Sequence, residues 1–269
     1  AKTKYGSDHN SKLINSSLTL NEYEQSVYEK NTFTDDILTV YQNIRSIKKH
    51  HFQVGYSHSI FNSDFSTQRI LIESSEKTGI EQKASLKSIF FEDRWSISKK
   101  LRLRLGIRNT YFSNNKSSYL EPRISATMKV TPTFTFEGAL GKNNQFVHQF
   151  ISPLSTRGTQ GTWLISQEKI PVVSSFSSQI SSHWREHNHE YSISLYQRSS
   201  EGHFNFEKYL SPIPILSEQN ESGNPYYTEP QGEEEINGAE VLIRRKNSLI
   251  NGWISYHFNE TKYSFPDIN

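Results

Sequence analysis

The chain has 269 residues, with 30 Lys and Arg against 28 Asp and Glu, and a net charge of +2 gives no reason to expect a nucleic-acid partner. Aromatic residues reach 13%, which argues against disorder because disordered chains are poor in aromatics. No run approaches the roughly 18 apolar residues of a membrane-spanning helix. A hydrophobic content of 33% fits a polar soluble protein. It also fits a β-barrel, whose alternating strands score as polar over a window.

Alternation of apolar and polar residues predicts strands along most of the chain. A short strand is expected near 13–20, and ten more follow from residue 34 onward. The ten lie at 34–46, 51–63, 83–97, 100–112, 119–131, 133–142, 173–186, 189–200, 237–246 and 249–262. Their lengths suit tilted strands that cross a bilayer, which need about 9–11 residues.

Residues 101–108 show two contrasting faces, because successive side chains of a strand point to opposite sides. One face is aliphatic and consists of Leu101, Leu103, Leu105 and Ile107. The other face consists of Arg102, Arg104, Gly106 and Arg108. A row of guanidinium groups opposite four aliphatic side chains favours a barrel with lipid outside and water or polar protein inside. Residues 123–129, 133–140 and 190–198 repeat this pattern.

Short and long connections alternate between the ten strands. The short ones lie at 47–50, 98–99, 132, 185–188 and 247–248, and the long ones at 64–82, 113–118, 143–172 and 201–236. Trp95 and Trp184 lie near short turns, and Tyr111, Phe112 and Tyr119 lie near a long loop. Outer-membrane barrels have short periplasmic turns, long outer loops and two aromatic girdles. The sequence therefore predicts an all-β fold, an antiparallel up-and-down transmembrane β-barrel wall of about 10–11 strands.

Several motifs occur in a defined order. Residues 90–95 end in an acidic–Trp pattern, the next strand carries Lys100, Gly106 and Arg108, and the strand after it opens with Glu121–Pro122–Arg123. A Thr-Pro-Thr turn at 131–133, the run 141–145 and the segments 236–240 and 252–256 follow. This ordered set resembles the middle barrel of TonB-dependent outer-membrane receptors. The closing residues 265–269 resemble the SusC-like versions found in Bacteroidota.

The resemblance implies a barrel of 22 strands with an N-terminal plug domain. Residues 1–269 would then be a barrel segment, with the plug domain and the remaining strands absent from this chain. It further implies import of a large solute (a glycan, a peptide or a metal chelate) across the bacterial outer membrane. The sequence contains no G-x-S-x-G motif, Walker loop or G-x-G-x-x-G motif, so neither enzymatic activity nor a cofactor is expected. The implied partners are outer-membrane lipid, the chain's own plug domain, the TonB complex acting through the absent plug segment, and a SusD-like surface lipoprotein.

Two other classes of protein could have the same strand pattern. A complete barrel of 10–12 strands could act as a passive pore or as an outer-membrane enzyme, and it would require the first strand to pair with the last. His148 and Asp64 are the obvious acid–base candidates for such an enzyme, but they lie on different hairpins. A soluble β-sandwich binding protein is the third class, and it would be purified without detergent.

Charged residues of the polar face are expected to face the lumen or a plug. They are Glu92, Arg102, Arg104, Arg108, Arg123, Glu137 and Glu240. Hydrogen bonds and ion pairs to a plug domain are the favoured role, and selection of an anionic solute is the alternative. Ligand capture is expected from aromatic and polar residues of the long loops, namely Phe146, His148, Phe150, Arg157, Trp163, Tyr226 and Tyr227. Packing of loop on loop would explain the same residues.

Three polar motifs are interpreted as surface features. The pattern H-x-x-E-H at 183–187 needs a helix to bring its two imidazoles to one zinc ion, whereas a strand separates them by about 13 Å. His50, His51, His187 and His189 lie at short turns and are expected to be solvated. The acidic run 233–235 is expected to be a solvated loop base. No metal site is expected.

Overall fold

The computed structural model describes residues 16–20, 23–70, 75–150, 162–167, 170–203, 232–246 and 251–265. These residues form thirteen strands. They are β1 (Ser16–Leu20), β2 (Tyr23–Ile47), β3 (His50–Ile70), β4 (Ser75–Trp95), β5 (Leu101–Phe112), β6 (Ser117–Lys129), β7 (Phe134–Gln145), β8 (Val147–Phe150), β9 (Thr162–Ile165), β10 (Val173–Glu186), β11 (His189–His203), β12 (Gly232–Arg245) and β13 (Gly252–Ser264). Among the described residues there is no helix long and apolar enough to cross a membrane.

Eleven of the strands form a single antiparallel sheet in the order β1-β2-β3-β4-β5-β6-β7-β10-β11-β12-β13. Each strand of the sheet pairs with the strands that precede and follow it, apart from the step from β7 to β10. Strands β8 and β9 form a separate hairpin inside that step. The prediction of an all-β, up-and-down barrel wall is therefore confirmed.

The ten predicted strands from residue 34 onward are all present, but the predicted long connection at 64–82 is wrong. Strand β3 continues to Ile70 and β4 begins at Ser75, and the two pair without a break from His50↔Trp95 to Ile70↔Ser75. The sequence of this extension is mostly polar on both faces, so alternation gave no strand signal there. The connections at 143–172 and 201–236 also contain strand residues.

The sheet has one apolar face and one polar face. The apolar outer face exposes large side chains along a band near the short turns, such as Phe91, Ile107, Leu140, Ile180 and Leu195. Beyond this band the same face turns polar, since Leu195 is followed by Gln197 and Ser199 on β11. Exposed apolar surface of this extent is stable only against lipid or another apolar partner. The strands are therefore longer than the apolar band that they carry.

The opposite face, here called the inner wall, is lined by hydroxyl and charged side chains. Hydroxyl pairs bridge neighbouring strands of this wall, as in Ser88–Thr110 at 2.9 Å and Ser181–Ser194 at 2.9 Å. Arg102 and Arg104 lie on it, opposite Thr127 and Ser125 of β6. The two faces predicted for residues 101–108 are those that the structure has.

The short turns are closed by side-chain hydroxyls and by residues with left-handed backbone. Ser98 Oγ accepts hydrogen bonds from the amides of Lys100 and Leu101, and Thr131 Oγ1 accepts one from the amide of Phe134. Lys49 and His187 occupy two-residue turns at φ 70° and 49°. These are positions that glycine or asparagine usually fills.

His50 was expected to be a solvated turn residue, and this expectation is wrong. Its Nδ1 lies 2.7 Å from Asp93 Oδ2, and its ring stacks between Phe52 and Trp95 at centroid distances of 5.5 and 5.1 Å. The pair lies on the outer face at the short-turn end of β3 and β4. The side chains of His50 and Asp93 are 27% and 11% exposed, whereas His51 is exposed.

A close approach between β3 and β4 requires a glycine at position 55. Gly55 pairs with Phe90, and a Cβ added there would overlap the Phe90 ring and lie 2.8 Å from Tyr41 Cβ. We expect Gly55→Ala to lower the free energy of unfolding in detergent by about 1–3 kcal/mol, as overpacking does. Gly252→Ala is the matched control, because nothing lies within 4 Å of its added Cβ. Equal effects of the two substitutions would contradict the assignment.

Candidate functional site on the inner wall

Glu92 is the centre of a charged cluster on the inner wall. Arg94 Nε donates to Glu92 Oε1 at 2.8 Å, Arg104 Nε lies 3.7 Å from the same oxygen, and Arg123 Nη2 lies 3.5 Å from Oε2. The Glu92 side chain is 7% exposed, whereas the three arginine side chains are 48–56% exposed. One buried carboxylate therefore contacts three half-exposed guanidinium groups. We call Arg94, Arg104, Arg123 and the neighbouring Arg102 the arginine cluster.

The register of three strands brings this cluster together. Gly106 of β5 pairs with Glu92 of β4 on one side and with Arg123 of β6 on the other. A Cβ at position 106 would lie 2.6 Å from Arg123 Nε. The glycine therefore leaves the space through which the Arg123 side chain reaches across β5 to Glu92.

Two further carboxylates of the inner wall are already engaged. Glu121 Oε1 accepts hydrogen bonds from the amide and the side-chain nitrogen of Asn144 at 2.8 and 3.2 Å. Glu137 accepts one from Thr127 Oγ1 at 3.4 Å and lies 3.7 Å from His183 Nε2.

The two remaining charged residues predicted for this wall are Arg108 and Glu240. Arg108 lies over the Phe90 ring, with Cζ 5.6 Å from the centroid. Glu240 is exposed on the same wall, between Ser194 and His257.

His183 and His187 do not share a site. His183 lies in β10 and contacts Glu137, whereas His187 lies in the following turn. Within the described ranges, no three His, Asp or Glu side chains form a group that could hold a metal ion.

Two cavities lie side by side on the inner wall. The first, of about 420 Å³, is lined by Arg94, Arg102, Arg104, Thr127, Glu137 and Gln179 among others. The second, of about 460 Å³, is lined by Arg123, Asn143, Gln179, Tyr196, Arg198 and Asn259 among others. Ala139 and Gln179 belong to both linings, so the two cavities adjoin and form a polar track whose lining residues come from β4 to β13. Volumes of this order suit small-molecule binding.

The β8–β9 hairpin folds back over the inner wall of β2–β5. Ser63 Oγ donates to the Trp163 carbonyl oxygen at 2.7 Å, and the Ile165 amide donates to Gln82 Oε1 at 3.0 Å. Asn114 Nδ2 donates to the Ser166 carbonyl oxygen at 3.1 Å. The hairpin belongs to the connection between β7 and β10, and it contacts strands that lie about 100 residues earlier in the chain.

A small apolar core attaches this hairpin. Its buried members are Phe33, Phe61, Ala84, Phe112, Phe146 and Ile165. The Phe146 ring contacts those of Phe112 and Tyr119 at 5.0 and 5.2 Å, and Trp163 stacks on Phe33 at 5.1 Å. The wall residues and the hairpin residues form one hydrophobic cluster. Its burial from water is what stabilises the inward position.

His148 of β8 is buried beneath this core. Its Nε2 is hydrogen-bonded to Ser166 Oγ at 2.9 Å, and Ser166 Oγ donates to the Pro171 carbonyl oxygen at 3.1 Å. The pKa of His148 is lowered from 6.5 to about 4, and burial is the largest cause. The charge of the nearby His203 contributes to the lowered pKa, and a hydrogen bond with the Pro171 backbone opposes it. The imidazole is therefore neutral at pH 7.

The residues predicted for ligand capture do not form one surface. Phe146 and His148 are buried and Trp163 is partly buried, all in the contact between the hairpin and the wall. Phe150 pairs with Thr162 in the hairpin. Arg157, Tyr226 and Tyr227 lie outside the described residues. A ligand-binding role of these residues stays a prediction.

Glu234 was expected to be part of a solvated acidic run, and this expectation is wrong. Glu234 is 5% exposed and accepts hydrogen bonds from Arg198 Nη2 and the Tyr263 hydroxyl, both at 2.8 Å. His203 Nε2 lies 3.7 Å from it. Glu233 and Glu235 are exposed, as expected. Alternation along β12 would have separated the one inward carboxylate from its two neighbours.

No protein-family model and no curated protein matches the chain. Among solved structures, the chain is similar to the ferric yersiniabactin uptake receptor FyuA from Yersinia pestis, with a TM-score of 0.63 and 8% identity over 89% of this chain and 37% of that chain. It is also similar to P. aeruginosa FpvA bound to heterologous pyoverdines, with a TM-score of 0.58 and 10% identity over 95% and 35%. For the RagAB peptide importer in the closed-closed state, the TM-score is 0.55 and the identity 10%, over 90% and 31%.

This likeness defines the class of fold. The chain shares its fold with part of FyuA, part of FpvA and part of the RagAB importer. It spans 31–37% of the length of those chains.

Proposed function

We propose that the chain is part of the barrel wall of a TonB-dependent receptor in the bacterial outer membrane, which imports a large solute. The observation that carries this proposal is the contrast between the two faces of one up-and-down sheet. The outer face exposes a band of large apolar side chains, and the inner wall carries arginines and hydroxyls. Lipid on one side and water or polar protein on the other satisfy both faces.

The solute would be a glycan, a peptide or a metal chelate. The likeness in fold to siderophore receptors and to a peptide importer supports this range. Amide, hydroxyl and tyrosine groups along the polar track offer hydrogen bonds to any of the three. No cofactor and no enzymatic step are part of this proposal.

The partners of such a receptor would be its own plug domain, the TonB complex, outer-membrane lipid and a surface lipoprotein. We place the chain with SusC-like receptors, on the likeness of its motifs and on the similarity to the RagAB barrel. In this proposal the β8–β9 hairpin narrows the outer part of the lumen, and the polar track lies below it. Solute would pass the hairpin before it reaches the arginine cluster.

A small barrel that closes on itself is less compatible with the sheet. Within the described ranges, β1 and β13 are edge strands and do not pair with each other. An open sheet edge cannot face the hydrocarbon core, because its backbone groups would remain unsatisfied there. Further strands would pair with both edges in a receptor barrel.

Uptake by cells tests the proposed function. Cells with the full-length gene and cells without it would be supplied with a mixture of peptides, glycans and ferric chelates, each in strains with and without TonB. We expect depletion of one solute class only when both the gene and TonB are present. Depletion that persists without TonB would favour a passive pore. Absence of gene-dependent depletion in every class would contradict import.

A further inference from the structure

The arginine cluster and the nearby Arg108 carry more positive charge than the carboxylates around them neutralise. Five guanidinium groups (Arg94, Arg102, Arg104, Arg108 and Arg123) face three carboxylates (Glu92, Glu121 and Glu137) on this part of the inner wall. In the part of the chain that the structure describes, no carboxylate lies within ion-pair distance of Arg102. Arg108 Nε is buried and has no hydrogen-bond partner among these residues.

The donors of the cluster are also incompletely used. Arg94 and Arg104 approach Glu92 through Nε, so the Nη groups of both remain as donors beside the first cavity. Arg123 approaches Glu92 through one Nη2 atom and lines the second cavity. Guanidinium groups bind carboxylates in a planar, two-bond geometry that Nη atoms and Nε can provide.

Glu92 organises these donors before any ligand arrives. Its carboxylate is buried behind the guanidinium groups and holds three of them at 2.8–3.7 Å. It offsets only one of the charges, and the open cavity lies on the exposed side of the arginines. Fixed donors lose less side-chain entropy when a ligand binds, which favours affinity.

We propose that the arginine cluster is a binding site for carboxylate groups. The carboxylates would come either from a small soluble polycarboxylate or from an Asp or Glu side chain of a protein segment in the lumen. The first cavity, of about 420 Å³, has room for a tricarboxylic acid. Because the site is open to water, salt will weaken the binding. Carboxylate binding and solute import are separate properties. The protein could import a solute without binding carboxylates here, and it could bind carboxylates without importing a solute.

Calorimetry on the full-length protein in detergent micelles at low ionic strength tests the first source. The probe is propane-1,2,3-tricarboxylate, and its uncharged tricarboxamide is the control ligand. We expect saturable binding of the tricarboxylate only. The double substitution Arg102→Gln with Arg104→Gln should weaken binding about tenfold or more, since charge-assisted hydrogen bonds are lost.

Two further variants sharpen the result. Glu92→Gln removes the negative charge that competes with the ligand and keeps a side-chain oxygen that can still accept from the guanidinium groups, so it should strengthen tricarboxylate binding severalfold. Arg185→Gln is the matched control, because Arg185 pairs with Glu190 at the short-turn rim, outside the cluster. It should leave the binding unchanged.

A crosslinking experiment tests the second source. In an Arg102→Lys variant, a carbodiimide joins the introduced amine to any carboxylate in direct contact, and peptide mass spectrometry identifies the crosslinked residue. A crosslink to an acidic residue outside the inner wall, without tricarboxylate binding, would assign the site to a protein carboxylate. The proposal is overturned if neither tricarboxylate binding nor such a crosslink is found, or if binding survives the double substitution.

Discussion

Phe146→Ala is expected to release the β8–β9 hairpin from the inner wall while the sheet stays folded. The Phe146 side chain is 7% exposed and contacts Phe112 and Tyr119, so its truncation removes buried apolar surface and leaves a cavity. Such a change costs about 3–5 kcal/mol. The hairpin is the only element whose attachment depends on this contact among the strands described, because the eleven-stranded sheet is paired without it.

Hydrogen exchange of the Ile165 amide measures this release. The Ile165 amide donates to Gln82 Oε1 of β4, so it is protected only when the hairpin is docked, whereas the Ser166 amide donates to the Phe146 carbonyl oxygen within the hairpin. A loss of about 3 kcal/mol corresponds to exchange about a hundredfold faster. Phe176→Ala on the outer face, where the ring is 54% exposed, is the control and should leave the Ile165 amide protected. Equal exchange in wild type and Phe146→Ala would contradict the packing role.

Strand positions and faces were predictable because the signal for them is local. Alternation in residues 101–108 identified the wall that carries Arg102 and Arg104, and β10 has the predicted bounds. The signal fails where both faces are polar, as in the paired extension that ends at Ile70 and Ser75. Alternation reveals a strand only where its two faces differ in polarity. The part of a strand that extends beyond the apolar band has two polar faces, so it shows no alternation.

The arrangement of the site was predictable only in part. Glu92 and the arginines were assigned to one wall, but their contacts depend on the register that sets Glu92 beside Gly106. The hairpin could not be placed at all, since Ser63 and Trp163 meet across 100 residues of sequence. A polar loop with scattered aromatics has the same composition whether it points outward or folds onto the wall. The burial of Glu234 could have been predicted only from the alternation of side chains along β12. Residues 201–236 were predicted to be a loop, so this alternation was not applied to them.

Acidification is the second condition expected to detach the hairpin. Burial holds the pKa of His148 at about 4 in the folded state, against 6.5 in an exposed histidine. The docked state therefore binds fewer protons than the open state between these pH values. Its stability is complete above pH 6.5 and declines as the pH falls toward 4. At about 1.36 kcal/mol for each pH unit, the total loss is about 3 kcal/mol.

The exchange of the Ile165 amide between pH 7.5 and 4, corrected for the intrinsic exchange rate, measures this loss. His148→Gln should abolish the decline, because glutamine does not titrate and its amide can still form a hydrogen bond with Ser166 Oγ. His51→Gln, at an exposed position near the start of β3, should retain it. An undiminished decline in His148→Gln would assign the titration to another group, with the neighbouring His203 the first to substitute. Protonation of the buried His148 imidazole would then not explain the opening of the hairpin. The apolar packing of Phe146 would remain the main interaction that holds the hairpin on the wall.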